Sequence, residues 1–452
     1  MDAAWIVLGL VAAYLLVVAW LVASGRAAKW NLGFLLGVVL MLRTQRGKKT
    51  LDWLARPARL WNAIGDLGIV LTLLGMVAMT AVFLWSVGYA LQPTSAVKPL
   101  GVNEILVIPG FNPFVPLWYG IVALIVTLVV HEGGHGVLAR ANGLRVKSIG
   151  LLFAVVPIGA FVEPDDEDLK AASRRKRLRV FAAGPTINLG LAALSLVAFA
   201  GLLGAAAPVP GAHVIGLVQG GPMERAGVPS SVTLVQVGDV PVQSYADIAT
   251  VQARYHAGDQ VRLLARSGAA YNLTFGSQWD AYPTEEQQAI LAQNATYAEK
   301  LQHAPRFGAS FYNPAFADSL RHPFSERGLS FLRLVSLPIG EVQGNPLLST
   351  YLPAFTAPPF SPALYFVLLN VAFWLFWINL MVGLTNILPM VPLDGGHIFR
   401  DAVGGALTRL APGMQPDARD RLVKWTAGAM SLVILGAFVL QVAGPYLVRA
   451  LG

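Results

Sequence analysis

The sequence predicts a polytopic α-helical membrane protein of about six transmembrane helices, with a small α+β domain inserted between them. Three observations predict this. The 452 residues are 55% hydrophobic and only 13% charged, about half the charge of an average soluble domain. The apolar residues gather into runs that reach the roughly 20 residues a helix needs to cross a bilayer. A long stretch between two of those runs has the mixed texture of a water-facing domain. The net charge of +8 then points to Lys- and Arg-rich cytoplasmic connections rather than to nucleic acid. With no cysteine, a disulfide framework and a thiolate metal site are excluded. The 45 glycines and 29 prolines are dispersed, which excludes a collagen-like or low-complexity chain.

The elements follow in order. The first run, Ala3 to about Ala23, lacks the basic start of a cleaved signal and reads as a retained span. Leu32–Leu42 is apolar but too short to cross, and reads as re-entrant or internally packed. Full-length spans are expected at about Ala63–Leu91, Leu117–Ala139, Val180–Ala206, Ala363–Leu388 and Trp425–Leu447. Basic residues crowd three connections: Arg43 to Arg59, Arg140 to Arg179, and Arg400 to Lys424. With six alternating spans, all three fall on the cytoplasmic side if the N-terminus is extracytoplasmic. Residues 207–362 then lie outside. Within them, His213–Val218, Leu234–Val237, Val261–Ala265 and Tyr271–Phe275 read as short strands around a helical stretch, Tyr245–Tyr255. Residues 277–362 are more polar and proline-rich, and no domain is placed there.

The chemistry concentrates in three places. His131-Glu132-Gly133-Gly134-His135 lies near the cytoplasmic end of its span. Positions i and i+4 share a helix face, so two imidazoles can reach one ion with a carboxylate beside them, the arrangement of zinc hydrolases. Each glycine disfavours helix by about 1 kcal/mol relative to alanine, which makes sense where a neighbouring backbone comes close. Ionisable groups inside a span are costly and mark a functional site. A catalytic zinc takes three protein ligands plus water, so one more is needed. Asn386-Ile387-Leu388-Pro389-Met390-Val391-Pro392-Leu393-Asp394-Gly395-Gly396 supplies the best candidate, Asp394, where two prolines break a span and paired glycines permit close approach. His397 competes for the role. The run Asp165, Asp166, Glu167 and Asp168 reads as a solvated loop. The third place is Ala183-Gly184-Pro185-Thr186-Ile187-Asn188, taken as the opening of a span, since proline suits a first turn. Asn188, inside apolar surroundings, needs a partner and serves either as helix–helix glue or in catalysis.

Together these motifs resemble the site-2 protease family of intramembrane zinc metalloproteases, peptidase family M50. The resemblance covers about residues 115–206 and 363–400. It implies that His131, His135 and Asp394 bind Zn2+, that Glu132 is the general base, that Asn188 helps hold substrate or the developing oxyanion, and that Asn386 contacts the extended substrate strand. It also implies that Ile149–Glu163 forms a re-entrant β-hairpin whose edge accepts an unwound substrate helix as an added strand. Residues 212–276 resemble a PDZ domain of the protease-associated type through Gly220-Gly221-Pro222, Ala226-Gly227 and Val237-Gly238-Asp239-Val240-Pro241-Val242. Gly220–Gly221 departs from the family's Gly-Ser, so such a domain either captures peptide tails or filters substrates by size.

The expected organisation is an N-terminal transmembrane region (1–114), a first catalytic part (115–206), a PDZ-like domain (207–280), an extracytoplasmic connecting region (281–362) and a second catalytic part (363–452). The implied activity is a zinc metalloendopeptidase acting on transmembrane protein substrates, in a multi-pass protein of the cell membrane. The competing reading is a non-proteolytic metal-binding scaffold or transporter. It fits less well, because the polar residues cluster at one depth and no ligand or base is missing.

Overall fold

The computed structural model describes residues 3–29, 32–35, 37–45, 47–92, 109, 111–112, 114–154, 156–312, 320–338 and 356–451. The expected connecting region 281–362 therefore lies partly outside the described residues. Among them, five helices are long and apolar enough to cross a membrane: Ala58–Ala90, Leu117–Ala141, Arg174–Ala205, Pro362–Asn386 and Pro416–Val448. A further apolar helix, Ala3–Ala23, stands at the expected first span. Many large apolar side chains on these helices face outward, among them Leu74, Val77, Trp85, Trp118, Leu194 and Leu432. Bare helices suit lipid because all their backbone hydrogen bonds are internal. The chain divides into two units, Met1–Ser195 with Trp374–Gly452, and Leu196–Phe373.

In the first unit the Leu117–Ala141 helix starts after Pro116 and stops at Gly143, whose φ of +78° suits a residue without a Cβ. Two antiparallel strands follow, β3 (Val146–Ala154) and β4 (Val156–Pro164), with Ile149 opposite Val162. This is the expected hairpin. It is larger than the sequence suggested, because Leu32–Leu42 supplies β1 (Leu32–Leu35) and β2 (Val39–Thr44), giving a sheet of order β1-β2-β3-β4. Leu40 faces Phe153 and Leu42 faces Leu151. The run from Leu32 to Leu42 is apolar throughout, so it shows no period-2 alternation and reads as no particular element.

The Arg174–Ala205 helix corrects a second expectation. Pro185 sits well inside it rather than at its start. The polar segment Arg174–Arg179 extends the helix beyond the apolar run, where its arginines find carboxylates. Arg175 and Arg179 each make a two-pronged contact with Asp66 at 2.7–2.9 Å, and Arg177 does the same with Asp401 at 2.9 and 3.0 Å. Such forked guanidinium–carboxylate pairs fix orientation as well as distance. They tie the helices Ala58–Ala90 and Asp394–Leu410 to the helix that carries Gly184 and Asn188.

The second unit holds a six-stranded sheet. Its main path runs Ala270–Thr274, Gln260–Ala265, Thr233–Val237, Ala212–Leu217 and Ala309–Phe311, with Val240–Pro241 paired beside it. The helix Asp247–Arg254 packs Ile248 and Val251 into the core of Val214, Met223, Leu234, Leu263, Leu273 and Phe275. The expected strands and helix all occur, within a residue or two. The strand Ala309–Phe311 and the helices Thr284–Gln293 and Ala295–His303 were not expected from the sequence.

Candidate metal centre and active site

The Leu117–Ala141 helix places His131 and His135 one turn apart on a face that is almost fully buried, 6% and 9% exposed. Against this face runs the Gly184 helix. Gly134 explains itself here: a Cβ would meet Ile187 at 2.8 Å and the Ala183 carbonyl at 3.3 Å. Gly133 has open space around it, so close approach accounts for one glycine of the motif and not the other. After Pro392 the chain turns into the helix Asp394–Leu410, which has Asp394 as its first residue. Arg177 grips that helix two turns further on, at Asp401.

These elements bring three donor atoms together. Asp394 Oδ2 lies 3.2 Å from His131 Nε2 and 3.4 Å from His135 Nε2, and the two Nε2 atoms are 3.3 Å apart. Ligands at 2.0–2.1 Å from a tetrahedral ion stand about 3.3–3.4 Å from each other. The spacing of the three atoms thus matches one face of a zinc tetrahedron. Among the described residues they are the group of His and acidic side chains placed to hold a metal.

Two further observations fit an ion. His135 Nδ1 lies 2.7 Å from the Val180 carbonyl, which only accepts, so Nδ1 carries a proton and, in the neutral ring, Nε2 presents its lone pair. That lone pair faces the buried Asp394 Oδ2, whose near neighbours are the two Nε2 atoms at 3.2 and 3.4 Å. Converging lone pairs repel unless a cation lies between them. In addition, a Cβ on Gly184 would stand 2.5 Å from His135 Nε2 and 2.6 Å from His131 Nε2. Any side chain there intrudes on the position an ion bound to both nitrogens must occupy.

Glu132 is half-buried beside this group, and the Val162 N–H of β4 donates to its Oε2 at 3.2 Å. The contact leaves Oε1 free to handle a proton. Asn188, fully buried, has its amide 3.0 Å from His131 Nδ1. Asn386 ends the Pro362–Asn386 helix, half-buried, with its amide nitrogen donating to the Val382 carbonyl at 3.1 Å. His397 is not in the donor group; its ring stacks on Phe181, 4.8 Å between centroids.

The acidic run is also elsewhere engaged. Asp165 caps the helix Asp166–Ala171, and Asp168 takes a forked contact from Arg145. That guanidinium holds the Asp168 carboxyl down to about 2. Sequence reasoning did not single out the Val180 carbonyl, the Val162 N–H or the Arg177–Asp401 clamp. Backbone groups leave no side-chain signal, and Arg177 stood out only as one charge among many.

Comparison with known proteins bears on the same residues. The family model described as peptidase family M50 matches residues 119–435. An uncharacterized protein of Methanocaldococcus jannaschii is 32% identical over 177 residues, 38% of this chain, and the chain spans only 46% of that relative's length. Zinc metalloprotease Rip1 of Mycobacterium tuberculosis is 26% identical over 343 residues, 61% of this chain and 82% of that protein. The Rip1 protein of Mycolicibacterium smegmatis is 24% identical over 339 residues, with the same shares covered.

Proposed function

The chain belongs to peptidase family M50, the site-2 protease family of zinc metalloproteases, and from that premise we propose that it cleaves transmembrane protein substrates within or near their membrane-spanning segments. It is a multi-pass membrane protein with a zinc-type donor set. The triangle of His131 Nε2, His135 Nε2 and Asp394 Oδ2 carries the proposal, since its 3.2–3.4 Å edges match the face of a tetrahedral zinc site.

In the proposed mechanism His131, His135 and Asp394 hold the zinc. A zinc ion held there would supply Lewis-acid chemistry, for the scissile carbonyl and for the acidity of a water near neutral pH. Glu132 is the general base. Its Oε2 is anchored by Val162, so Oε1 takes the proton of the attacking water and delivers it to the departing amide nitrogen. A helical substrate conceals its carbonyls in internal hydrogen bonds and must unwind first. β4 is an edge strand whose Val162 N–H points off the sheet beside Glu132. We assign it as the place where the unwound segment adds as a strand, with Asn386 and Asn188 as amides on the substrate side.

The same reading makes β3–β4 re-entrant, gives six spans by counting Ala3–Ala23, and sets the N-terminus outside with the site near the cytoplasmic face of the cell membrane. The unit containing residues 207–280 is assigned as PDZ-like. Supporting this, the edge strand Ala309–Phe311 and the helix Asp247–Arg254 flank a cavity of about 360 Å³, with Ile248 and Gln252 on one wall and Gly308 and Phe311 on the other. PDZ domains add a peptide strand at such an edge.

The test is Glu132→Gln in a purified preparation with a membrane-anchored reporter. Cleavage should fall about 10²–10⁴-fold, the usual contribution of a general base, with zinc retained. Unchanged cleavage removes Glu132 from the mechanism.

A further inference from the structure

We propose that Asn188 is a positioning residue for the metal centre: its side-chain oxygen accepts the Nδ1–H of His131 and holds that ring in the tautomer whose Nε2 lone pair faces the ion. The proposal rests on the zinc reading above and gives Asn188 a task separate from substrate contact.

A neutral imidazole carries one ring proton, and a nitrogen that serves as ligand must be the one without it. Both histidines present Nε2 to Asp394, so both need their proton on Nδ1 and an acceptor to hold it there. His135 has one in the Val180 carbonyl at 2.7 Å. His131 has no backbone carbonyl in that role. The group against its Nδ1 is the Asn188 amide, at 3.0 Å.

The two partners come from one stripe of one helix. Val180, Gly184 and Asn188 follow at i, i+4 and i+8 on the Arg174–Ala205 helix, a shared face. His135 meets Val180 and His131 meets Asn188, while Gly184 leaves the room between them that the ion requires. The stripe thus matches the two-histidine face of the neighbouring helix position by position.

An amide presents a donor and an acceptor in nearly the same shape, so its orientation is decided by what it satisfies. With the nitrogen toward His131, the ring proton is forced onto Nε2, into the ion's place, and Asn188 Oδ1 is buried with no partner. A buried acceptor without a partner is destabilising. With the oxygen toward the ring, Oδ1 gains the Nδ1–H and Nε2 is bare. Groups that orient a ligating histidine in this way typically change metal affinity 10–100-fold when removed.

The experiment measures the zinc dissociation constant of the full-length protein in detergent by competition with a chromophoric chelator. Wild type, His131→Ala, Asn188→Asp and Asn188→Leu are compared, each checked for a monodisperse, helical state. Asn188→Leu, close in volume, should weaken zinc about 10–100-fold. Asn188→Asp keeps an accepting oxygen and should stay within a few fold of wild type. Equal zinc affinity in wild type and Asn188→Leu, with cleavage lost, overturns the positioning role and leaves Asn188 to substrate alone. Wild type and His131→Ala with equal affinity would instead overturn the metal centre itself. If Asn188→Leu fails to fold, nitrogen NMR of histidine-labelled wild type with zinc decides. A protonated, hydrogen-bonded Nδ1 on His131 supports the proposal, and a bare Nδ1 refutes it.

Discussion

His213 in one unit and His131 with His135 in the other are all buried, 4%, 6% and 9% exposed, yet they spend their ring nitrogens differently. His213 closes both: Nδ1 takes the Thr233 hydroxyl and Nε2 donates to the Val209 carbonyl, each at 2.9 Å. The Tyr312 ring lies beside it, 6.2 Å between centroids. His131 and His135 engage Nδ1 with Asn188 and the Val180 carbonyl and turn both Nε2 atoms toward each other and toward one carboxylate oxygen of Asp394. A histidine that serves the fold uses up its hydrogen-bonding capacity, as buried polar groups generally do. In the proposed metal centre the histidines keep a nitrogen for the ion, and Gly184 beside them leaves space. Burial alone does not separate the two kinds.

The sharpest way to break this contrast is Gly184→Ala. The new methyl would stand 2.5–2.6 Å from both Nε2 atoms, so the imidazoles must shift and bound zinc should drop by at least tenfold, measured as metal per purified chain, while the protein stays folded. Full zinc occupancy in that variant would mean that the space beside Gly184 is not the ion's. A smaller effect is expected at His213→Gln. It should lower the unfolding free energy of its own unit by about 1–3 kcal/mol through unsatisfied buried groups and leave zinc per chain unchanged. Loss of zinc there would erase the distinction between a structural and a ligating histidine.

How much of this was legible in the sequence varied with the kind of group. The His131–His135 pair was readable because helical periodicity puts i and i+4 on one face. Asp394 was readable because prolines and glycines interrupt an apolar run there, and the structure brings its oxygen to both imidazoles. The strands around His213 showed through their turns and apolar runs. Leu32–Leu42 did not reveal β1 and β2, since an evenly apolar run fits a strand as well as a buried helix. Pro185 misled because a proline favours a first turn, whereas here the arginines ahead of it continue the helix to their carboxylates. The partners that orient Glu132 and His135 are a backbone N–H and a backbone carbonyl. No residue type encodes them, so only the fold discloses them.

The central claim, that three side chains from two distant parts of the chain share one zinc, is tested most directly by metal analysis of wild type beside Asp394→Ala. Wild type should carry about one zinc per chain, with two nitrogen ligands and at least one oxygen ligand near 2.0–2.2 Å by X-ray absorption, and Asp394→Ala should lose that zinc. Zinc retained with unchanged ligation in Asp394→Ala would contradict it.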